Sequence, residues 1–525
     1  MYLTESKAGI ANHSASFIIN VYSHNFEVSG FNNNGKLLLM NYCRNFAVKQ
    51  KTVAHGKANW IISSVFAAAN KNRTYFRFHF NQLNDLLNYL ETQGFPSHTV
   101  KIIKHLPPEG EIVNFKVKST KEPRDYQFKA IDYVSNLIDT FLKIFKLVVL
   151  QTGKGKTFIA LSGMAKINKR VLEICKPMYI EKWIADFEDF FSLRKSDIMV
   201  VKGSKNFKIM LDLAKAKKLD AKIIIISNRT YYDYLEDWER FNGKGLHDVH
   251  PNDLCKILKV GYRLIDEVHQ DFHLNFRCDL YTNVESDVSL SATMDPDAPI
   301  LKTMYEIMFP TQNRFKGIPY DKYIDVKSIF YSANDAKKIK CKRFGLGFYS
   351  QVMFEESIMR DRVMMENYLF MISSIVKKEF FNSYEEGKKF IVFAGTIAMA
   401  TAITTRLNRD FPQYNIKRYV GEDDYQTHLL DPVGRVSTLK SAGTAIDIDD
   451  LLFTLMTDAH DSTQGNEQVL GRTRKSKGKF SELTPVFAYL SCQHIQSHVK
   501  YDEKKRKVFD GKVLSHSTAY SDFRI

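Results

Sequence analysis

The sequence predicts an α/β protein in which two domains built on parallel sheets follow a small α+β domain. Its 525 residues are too many for one hydrophobic core, so several domains are expected. Short apolar runs rich in β-branched residues alternate with helical patterns from about residue 125 to 490. Strands that are apolar on both faces and separated by helices are typical of parallel sheets covered on both sides. The series runs twice, over 125–295 and 325–490, which predicts two such domains.

Six apolar runs are the clearest strand candidates. They are FKLVVL (145–150), RVLEI (170–174), KIIIIS (222–227), YRLID (262–266), KFIVFA (389–394) and LLFTLM (451–456). The segment 308–323 has two prolines, a glycine and few periodic apolar positions, which is typical of an inter-domain connection. We therefore place an accessory domain at 1–115, parallel-sheet domains at 116–310 and 311–490, and a C-terminal tail at 491–525.

Residues 1–115 carry a different pattern, and this pattern does not indicate a particular chemistry. Tyr75–Phe80 alternates strictly, with its phenylalanines on one face, which predicts a half-buried strand. Asn81 can cap a following helix that ends near Gly94. The other face carries Arg77 and His79, and two interpretations stay open: a recognition surface, or a solvated face of a structural domain.

Composition restricts the classes of function. The formal net charge is +16, because 75 Lys and Arg outnumber 59 Asp and Glu, and a polyanion is the default partner of so basic a chain. Basic proteins without such a partner are common, so net charge alone does not establish that the partner is a polyanion. The six cysteines have no paired spacing, which excludes a zinc ribbon or a disulfide scaffold. The start lacks a signal pattern and the apolar runs are too short to span a membrane, so we expect a soluble cytoplasmic protein.

The strongest signal is the segment 151–157, which follows one predicted strand and opens a predicted helix. Glycines there let backbone N–H groups close around phosphate oxygens, and the helix N-terminus adds its dipole. The residues expected around the phosphates are Thr152, Gly153, Lys154, Gly155, Lys156 and Thr157. Lys156 can reach the β- and γ-phosphates, and the Thr157 hydroxyl can ligate Mg²⁺. Leu150 stands where the usual pattern has glycine, a small departure in an otherwise correct context.

Two adjacent carboxylates, Asp266 and Glu267, stand at the carboxyl end of another predicted strand. Asp266 can hold the Mg²⁺ shell, while Glu267 orients and deprotonates the attacking water. Such a pair is weak evidence alone. With the phosphate loop upstream it predicts a nucleotide hydrolase.

These segments together resemble the superfamily II helicases of DExH type. Residues 266–269, Asp-Glu-Val-His, look like motif II of that family. Ser291 and Thr293 look like motif III, which couples hydrolysis to movement. Pro177 stands where motif Ia contacts the nucleic-acid backbone, although Lys176 precedes it in place of the usual apolar residue.

Upstream of the phosphate loop, Arg124, Tyr126 and Gln127 resemble the Q motif of the family. The resemblance implies that the Gln127 amide reads the N6 and N7 edge of adenine, which selects ATP. A plain helix-surface residue is the alternative for Gln127.

The second half of the chain matches the family as well. Thr396 follows an apolar strand as motif IV does, and Thr438, Gly443 and Asp447 fall within a segment similar to motif V. The resemblance assigns Thr396, Thr438 and Gly443 to nucleic-acid contact or coupling, and Asp447 to nucleotide binding.

Residues 468–475 look like motif VI, with Gln468 on the nucleotide and an arginine finger on the γ-phosphoryl group. Arg472 is the firmer assignment for the arginine finger. The family's final arginine is Lys475 in this chain, with Arg474 one place early, so either could be the second finger.

The resemblance implies two tandem RecA-like motor domains that use ATP and Mg²⁺ to move on nucleic acid, with DNA favoured over RNA. The layout is most similar to phage branch-migration helicases, which would place the protein in the cytoplasm of a bacterial host. Residues 1–115 would then be dispensable for basal hydrolysis and would recognise branched DNA. A DExH-type RNA-remodelling ATPase and an ATP-switched nucleic-acid-binding scaffold stay open, as does the oligomeric state.

Overall fold

The computed structural model describes residues 17–525 except for several short segments. The exceptions are 55–56, 65–67, 71, 97–98, 119, 121, 136–144, 242, 294–295, 316–319, 343–347, 422, 425, 443–447 and 477. Contacts divide the chain into two compact units, with the main division between residues 318 and 319. This division falls inside the segment 308–323, where the sequence predicts a connection.

The N-terminal domain is a small mixed sheet with two helices. Its strands are β1 (Phe17–Val21), β2 (Asn25–Ser29), β3 (Ala47–Ala54), β4 (Lys57–Ser64), β5 (Ala68–Ala69), β6 (Phe76–His79) and β7 (Val100–Lys104). Its helices are α1 (Asn33–Arg44) and α2 (Leu83–Thr92). The sheet order is β5-β6-β2-β1-β7, with β1 and β7 parallel and the other pairs antiparallel, while β3 and β4 form a separate ribbon.

The first large sheet belongs to the same unit and is parallel throughout. Its strands are β8 (Leu147–Val149), β9 (Val171–Cys175), β10 (Ile198–Val201), β11 (Ile223–Ser227), β12 (Tyr262–Ile265), β13 (Ser286–Ser291) and β14 (Arg314–Phe315). The helices are α3 (Phe128–Ser135), α4 (Lys156–Ile167), α5 (Ile180–Phe190), α6 (Gly203–Lys215), α7 (Asn228–Phe241), α8 (Leu254–Leu258), α9 (Phe272–Leu280) and α10 (Pro299–Met308). The order is β10-β11-β9-β12-β13-β8-β14.

The second unit repeats this plan. Its strands are β15 (Asp325–Ser332), β16 (Lys389–Ala394), β17 (Ile416–Tyr419), β18 (Gly434–Thr438), β19 (Leu451–Met456), β20 (Val486–Cys492) and β21 (Ser515–Arg524). The helices are α11 (Gln351–Arg360), α12 (Arg362–Glu379), α13 (Ile397–Asp410), α14 (Leu439–Ala442), α15 (Thr463–Leu470) and α16 (Gln496–Phe509). The parallel order is β17-β18-β16-β19-β20-β15-β21. The predicted fold class is therefore confirmed.

The six predicted strands all lie inside these two sheets, and their burial explains why the apolar runs are continuous. In β11, for example, all four isoleucines of 223–226 are fully buried, because helices cover both faces of the sheet. Residues 491–525, which we predicted as a tail, instead contribute the end of β20, helix α16 and the edge strand β21. β21 pairs in parallel with β15 along most of its length, so this segment is part of the second sheet.

The predicted half-buried strand of the N-terminal domain is buried on both faces. Phe76 and Phe78 pack in the core, as expected, but Arg77 is only 1% exposed and His79 is fully buried. The interpretation of Arg77 and His79 as an exposed recognition surface is therefore wrong, and so is the alternative of a solvated face. Both side chains point at the domain of the first large sheet, where they contact Tyr281 and Asp279.

A buried polar interface joins the N-terminal domain to the domain of the first large sheet. The His79 imidazole lies 2.8 Å from an Asp279 carboxylate oxygen, and the Ser23 hydroxyl donates to the Asn283 side-chain oxygen at 2.7 Å. Arg77 pairs with Glu27 at 2.6 Å within its own domain and donates to the Tyr281 hydroxyl across the interface. These contacts make the accessory domain an integral part of the first unit.

The interface continues into a buried ion network. Arg263 on β12 pairs with both Asp279 and Asp287, and all three side chains are fully buried. Burial alone would raise the pKa of Asp279, but the Arg263 guanidinium and the hydrogen bond from His79 hold that pKa well below its usual range. Breaking such a network by removing one partner costs about 3–5 kcal/mol, because the remaining charge stays buried.

Among the residues that the structure describes, no helix is both long enough and apolar enough to cross a membrane.

Candidate active site

The predicted phosphate loop lies between β8 and α4, in the strand–loop–helix context that the sequence indicates. Gly153 and Gly155 have φ values of +87° and +78°, a left-handed conformation that glycine adopts without steric cost. Lys156 is the first residue of α4, and its ammonium donates to the Leu150 carbonyl at 3.3 Å. The backbone is thus already turned to present N–H groups at the helix N-terminus.

The Gln127 side chain holds this loop in place through hydrogen bonds. Its side-chain nitrogen donates to the Lys154 carbonyl at 3.1 Å, and its side-chain oxygen accepts the Arg124 N–H at 2.9 Å. A Cβ atom on Gly155 would lie 2.3 Å from the same nitrogen of Gln127, so only glycine fits there. Because Gln127 is only 3% exposed, the alternative of a plain helix-surface residue is wrong. Adenine reading by its amide stays a prediction.

Tyr126 and Arg124 complete this side of the loop. The Arg124 guanidinium donates to the Tyr126 hydroxyl at 2.9 Å, and the Lys154 ammonium lies 5.1 Å from the centre of the Tyr126 ring. A cation at this distance from an aromatic face is attracted by the ring quadrupole. Arg124 therefore contacts both other residues of the predicted Q motif, and Tyr126 and Gln127 contact Lys154.

The carboxylate pair lies directly after β12. The Asp266 carboxylate accepts the Glu267 N–H at 2.8 Å and the Trp183 indole N–H at 3.2 Å, and the side chain is only 8% exposed. Glu267 has a φ of +44°, which is strained for a non-glycine residue. Its buried Oε2 makes no hydrogen bond among the described residues, and the His269 Nδ1 lies 3.4 Å from it. Strain and such a carboxylate oxygen in one residue are typical of a functional position.

Electrostatic effects link the phosphate loop to this pair. Burial raises the pKa of Asp266, the Glu267 carboxylate raises it further, and the cations of Lys182 and Lys156 lower it. Lys156 also acts on His269, whose pKa falls to about 3 mainly because the ring is buried. The lysine of the loop and the carboxylates of motif II therefore form one electrostatic site.

A contact that the sequence did not indicate joins motif II to motif III. The His269 Nδ1 lies 2.9 Å from the Ser291 hydroxyl, and Ser291 bonds in turn to the backbone of Thr293. Since the Ser291 hydroxyl donates to the Thr293 carbonyl, the hydrogen between His269 and Ser291 belongs to the imidazole, which is neutral. The DExH histidine thus connects the nucleotide site to the end of β13.

Sequence reasoning also missed Glu173, which stands within the predicted apolar strand 170–174. It is fully buried in β9, and neither of its side-chain oxygens has a hydrogen-bond partner among the described residues. Burial, followed by the Asp266 carboxylate, raises the pKa of Glu173 well above its usual range. An isolated glutamate in an apolar run gives no signal of its own.

Pro177 opens a 3₁₀ turn, Pro177–Tyr179, after β9. The neighbouring Lys176 ammonium lies 3.0 Å from the Asp271 carboxylate, and the Tyr179 hydroxyl donates to Gln270 at 2.9 Å. The predicted motif Ia is therefore tied to the segment that follows motif II.

In the second unit the predicted motif residues lie at strand ends. Thr396 caps α13, because its hydroxyl accepts the Met399 N–H at 3.1 Å. Thr438 ends β18, and its hydroxyl donates to Ser441 at 3.0 Å. Gly443 and Asp447 lie outside the described residues, so their predicted roles stay predictions.

Motif VI follows helix α15, which contains Gln468. Arg472 and Arg474 are partly buried, whereas Lys475 is exposed. Between the two arginines, the buried Thr473 hydroxyl lies 2.8 Å from the Thr454 hydroxyl on β19. This bond ties the segment to the sheet through Thr473.

The four consecutive basic residues at 504–507 do not form one exposed patch. Lys505 is only 2% exposed and donates to the His460 carbonyl at 3.2 Å, while Arg506 pairs with Asp502 at 2.9 Å. These two cations are used within the second unit and do not form a surface for phosphates.

The residues around the phosphate loop fit the two groups that the resemblance implies. ATP requires a loop that closes on phosphate oxygens, and the left-handed Gly153 and Gly155 provide it. Mg²⁺ prefers oxygen ligands, and the Thr157 hydroxyl and the Asp266 carboxylate are such ligands. The buried Oε2 of Glu267, which makes no hydrogen bond among the described residues, could accept one from a water molecule.

Comparison with known proteins gives one family. Residues 120–294 match the family model of the type III restriction enzyme, res subunit. No curated protein matches the chain. Among solved structures, the crystal structure of T4 UvsW is similar over 97% of this chain and 100% of that chain, with 14% sequence identity and a TM-score of 0.35. The family match contains the phosphate loop, the carboxylate pair and the Ser291–Thr293 segment.

Proposed function

We propose that the whole chain is an ATP-driven nucleic-acid motor, starting from the match of residues 120–294 to the family model of the type III restriction enzyme, res subunit. One observation carries the proposal. Gly153 and Gly155 hold the turned conformation of a phosphate loop after β8, and Asp266 and Glu267 follow β12 at the same edge of the parallel sheet. Of these residues, Glu267 is the one that ATP binding alone does not require, because its proposed role is to take the proton of the attacking water.

The roles of the residues follow from their positions. Backbone N–H groups of 153–157 and the Lys156 ammonium would hold the β- and γ-phosphates. Thr157 and Asp266 would hold Mg²⁺, which when bound neutralises charge on the phosphate oxygens. Glu267 would orient the attacking water and take its proton, using the carboxylate oxygen that has no hydrogen-bond partner among the described residues. The Gln127 amide and the Tyr126 ring would contact the adenine.

The arginine of motif VI would stabilise charge on the transferring phosphoryl group. Arg472 is the first finger in this proposal. Arg474 is favoured as the second over Lys475, because Lys475 is exposed whereas Arg474 is partly buried.

The proposed substrate is DNA, in the form of branched recombination or replication intermediates. The net charge of +16 favours a polyanion, and the order of motifs along the chain favours a translocating motor. Motor domains of this kind contact mainly the phosphate backbone, which carries no information on sequence. An RNA-remodelling ATPase is the second candidate, and an ATP-switched scaffold is the third.

Steady-state ATP turnover separates the three candidates. We expect turnover to rise with single-stranded and branched DNA and to rise less with RNA. Stimulation by RNA alone would favour the second candidate, and no turnover with either polymer would favour the third.

A further inference from the structure

A hydrogen-bonded cluster in the second unit joins the carboxyl ends of three strands, β16, β19 and β20, which are neighbours in the sheet. We call it the α11 hub, and it consists of Tyr349, Gln351, Glu355 and His498. None of these residues belongs to a motif that the sequence indicates. The hub touches the turn of motif IV on one side and the loop that leads to motif VI on the other.

Gln351 is the centre of the hub, and both ends of its amide are used. Its oxygen accepts the Ala459 N–H at 3.0 Å and the Tyr349 hydroxyl at 2.6 Å. Its nitrogen donates to a Glu355 carboxylate oxygen at 2.9 Å and to the Thr457 carbonyl at 3.4 Å. Thr457 and Ala459 lie between β19 and α15, so Gln351 fixes the backbone just before the motif VI helix.

Glu355 holds the motif IV turn, on the other side of the hub. Its side chain is fully buried, and the oxygen that bonds Gln351 also accepts the Gly395 N–H at 2.7 Å. A Cβ atom on Gly395 would lie 2.3 Å from the Gln351 side chain and 3.0 Å from this oxygen, so glycine is needed for close approach. Gly395 directly precedes Thr396, the cap of α13. The carboxylate therefore holds the motif IV turn through its backbone.

The hub has a defined direction of hydrogen bonding. His498 Nδ1 accepts the Cys492 N–H at 3.1 Å, so the ring hydrogen is on Nε2, which donates to the Tyr349 hydroxyl oxygen at 2.8 Å. The Tyr349 hydroxyl hydrogen is then directed to Gln351. Burial lowers the pKa of His498 to about 3, so the ring stays neutral and the chain of bonds keeps its direction.

We propose that Glu355 and Gln351 are positioning residues that couple the motif IV turn to the loop before motif VI. The proposal rests on the proposed function, in which motif IV contacts nucleic acid and motif VI acts on the nucleotide. Both links end on backbone N–H groups, and water is not available to replace a broken bond at a fully buried carboxylate. Movement of Gly395 towards or away from bound nucleic acid therefore displaces Gln351, and with it Thr457 and Ala459.

The first test compares ATP turnover with and without single-stranded DNA. Glu355→Ala should keep basal turnover within about twofold of the parent and lose about tenfold of the stimulation by DNA, the range expected for coupling residues. Glu355→Gln, which keeps an acceptor for the Gly395 N–H, should retain most of the stimulation. The matched control is Glu356→Ala, because Glu356 is the exposed neighbour, which pairs with Arg360 at 3.3 Å on the same helix. Full stimulation in folded Glu355→Ala, or an equal loss in Glu356→Ala, would overturn the coupling.

The second test can be decided on the parent chain, and Glu355→Ala adds a comparison. Hydrogen–deuterium exchange on the parent chain should show that DNA changes the protection of 395–399 and of 457–461 together. In Glu355→Ala only the first segment should respond. A response at 395–399 without one at 457–461 in the parent would overturn the proposal even if the variant fails to fold. A parent without DNA-stimulated turnover would instead refute the proposed function, so the two failures are distinguishable.

Discussion

At the scale of single residues, the site combines features that sequence can indicate with others that it cannot. Spacing and residue type identified Lys156 and the Asp266–Glu267 pair, because a phosphate loop and a strand-end carboxylate pair each have a local pattern. The contact of His269 with Ser291 and the burial of Glu173 lay beyond such reasoning. Both arise from packing between neighbouring strands, which has no local signature.

Glu267 is the residue whose substitution separates binding from chemistry. Glu267→Gln keeps the shape of the side chain but removes the base, so ATP should still bind while turnover falls at least about a hundredfold. Nucleotide binding followed by fluorescence, together with turnover, checks both parts. The variant should also retain nucleic acid in an ATP-dependent complex. Turnover equal to that of the parent would assign the base to another residue.

Arg472 should dominate the cationic residues of motif VI. Arg472→Ala should reduce DNA-stimulated turnover by at least about a hundredfold, as expected for the loss of an arginine on the transferring phosphoryl group. Arg474→Ala should have a larger effect than Lys475→Ala, because Lys475 is exposed and serves as the matched control. Mild and equal effects of all three would place the finger elsewhere in the chain.

At the scale of elements, continuous apolar runs predicted the inner strands well and the edge strands poorly. β11 and β16 are buried on both faces along nearly their whole length, so almost every position is apolar or small and the pattern is plain. β21 lies at the edge of the second sheet with most of its residues exposed, and its sequence SHSTAYSDFR is accordingly polar. The prediction of a C-terminal tail failed for this reason.

The phosphate loop as an element depends on Gly155. Gly155→Ala should impair ATP binding more than it impairs folding, because alanine at positive φ costs about 1–2 kcal/mol and its Cβ would also displace Gln127. Gly203→Ala is the matched control, since Gly203 has a φ of +77° and a Cβ atom added there would meet no other atom within 4 Å. ATP affinity, measured by calorimetry, should fall in the first variant only. Equal affinities would mean that Gln127 does not shape the loop.

At the scale of the whole molecule, the N-terminal domain is the part that sequence described least well. Its strand pattern was recognised, but the burial of Arg77 and His79 depends on residues about 200 positions away in the chain, Tyr281 and Asp279. No periodicity within residues 1–115 could indicate that partner. The sequence predicts that residues 1–115 are dispensable for basal ATP hydrolysis. Because they share a buried interface with the rest of the first unit, we now expect their removal to reduce stability.

A chain that starts at Val117 should be less stable than the full chain. Removal of His79 and Ser23 leaves buried polar groups of the first motor domain without these partners, among them Asp279 and Asn283. Thermal unfolding should begin at a lower temperature, and ATP turnover should fall with the folded fraction. An unchanged unfolding temperature together with full turnover would mean that the interface contributes nothing to the motor domain.

The central claim, that ATP turnover at one site drives action on nucleic acid, is tested most directly by one steady-state experiment. ATP turnover is measured for the parent and for Lys156→Ala with single-stranded DNA, forked DNA, a four-way junction and RNA side by side. We expect stimulation of the parent by DNA, strongest with branched forms, and loss of turnover in Lys156→Ala at unchanged folding. A parent that hydrolyses no ATP with any of these polymers, or a folded Lys156→Ala chain that turns over normally, would contradict the claim.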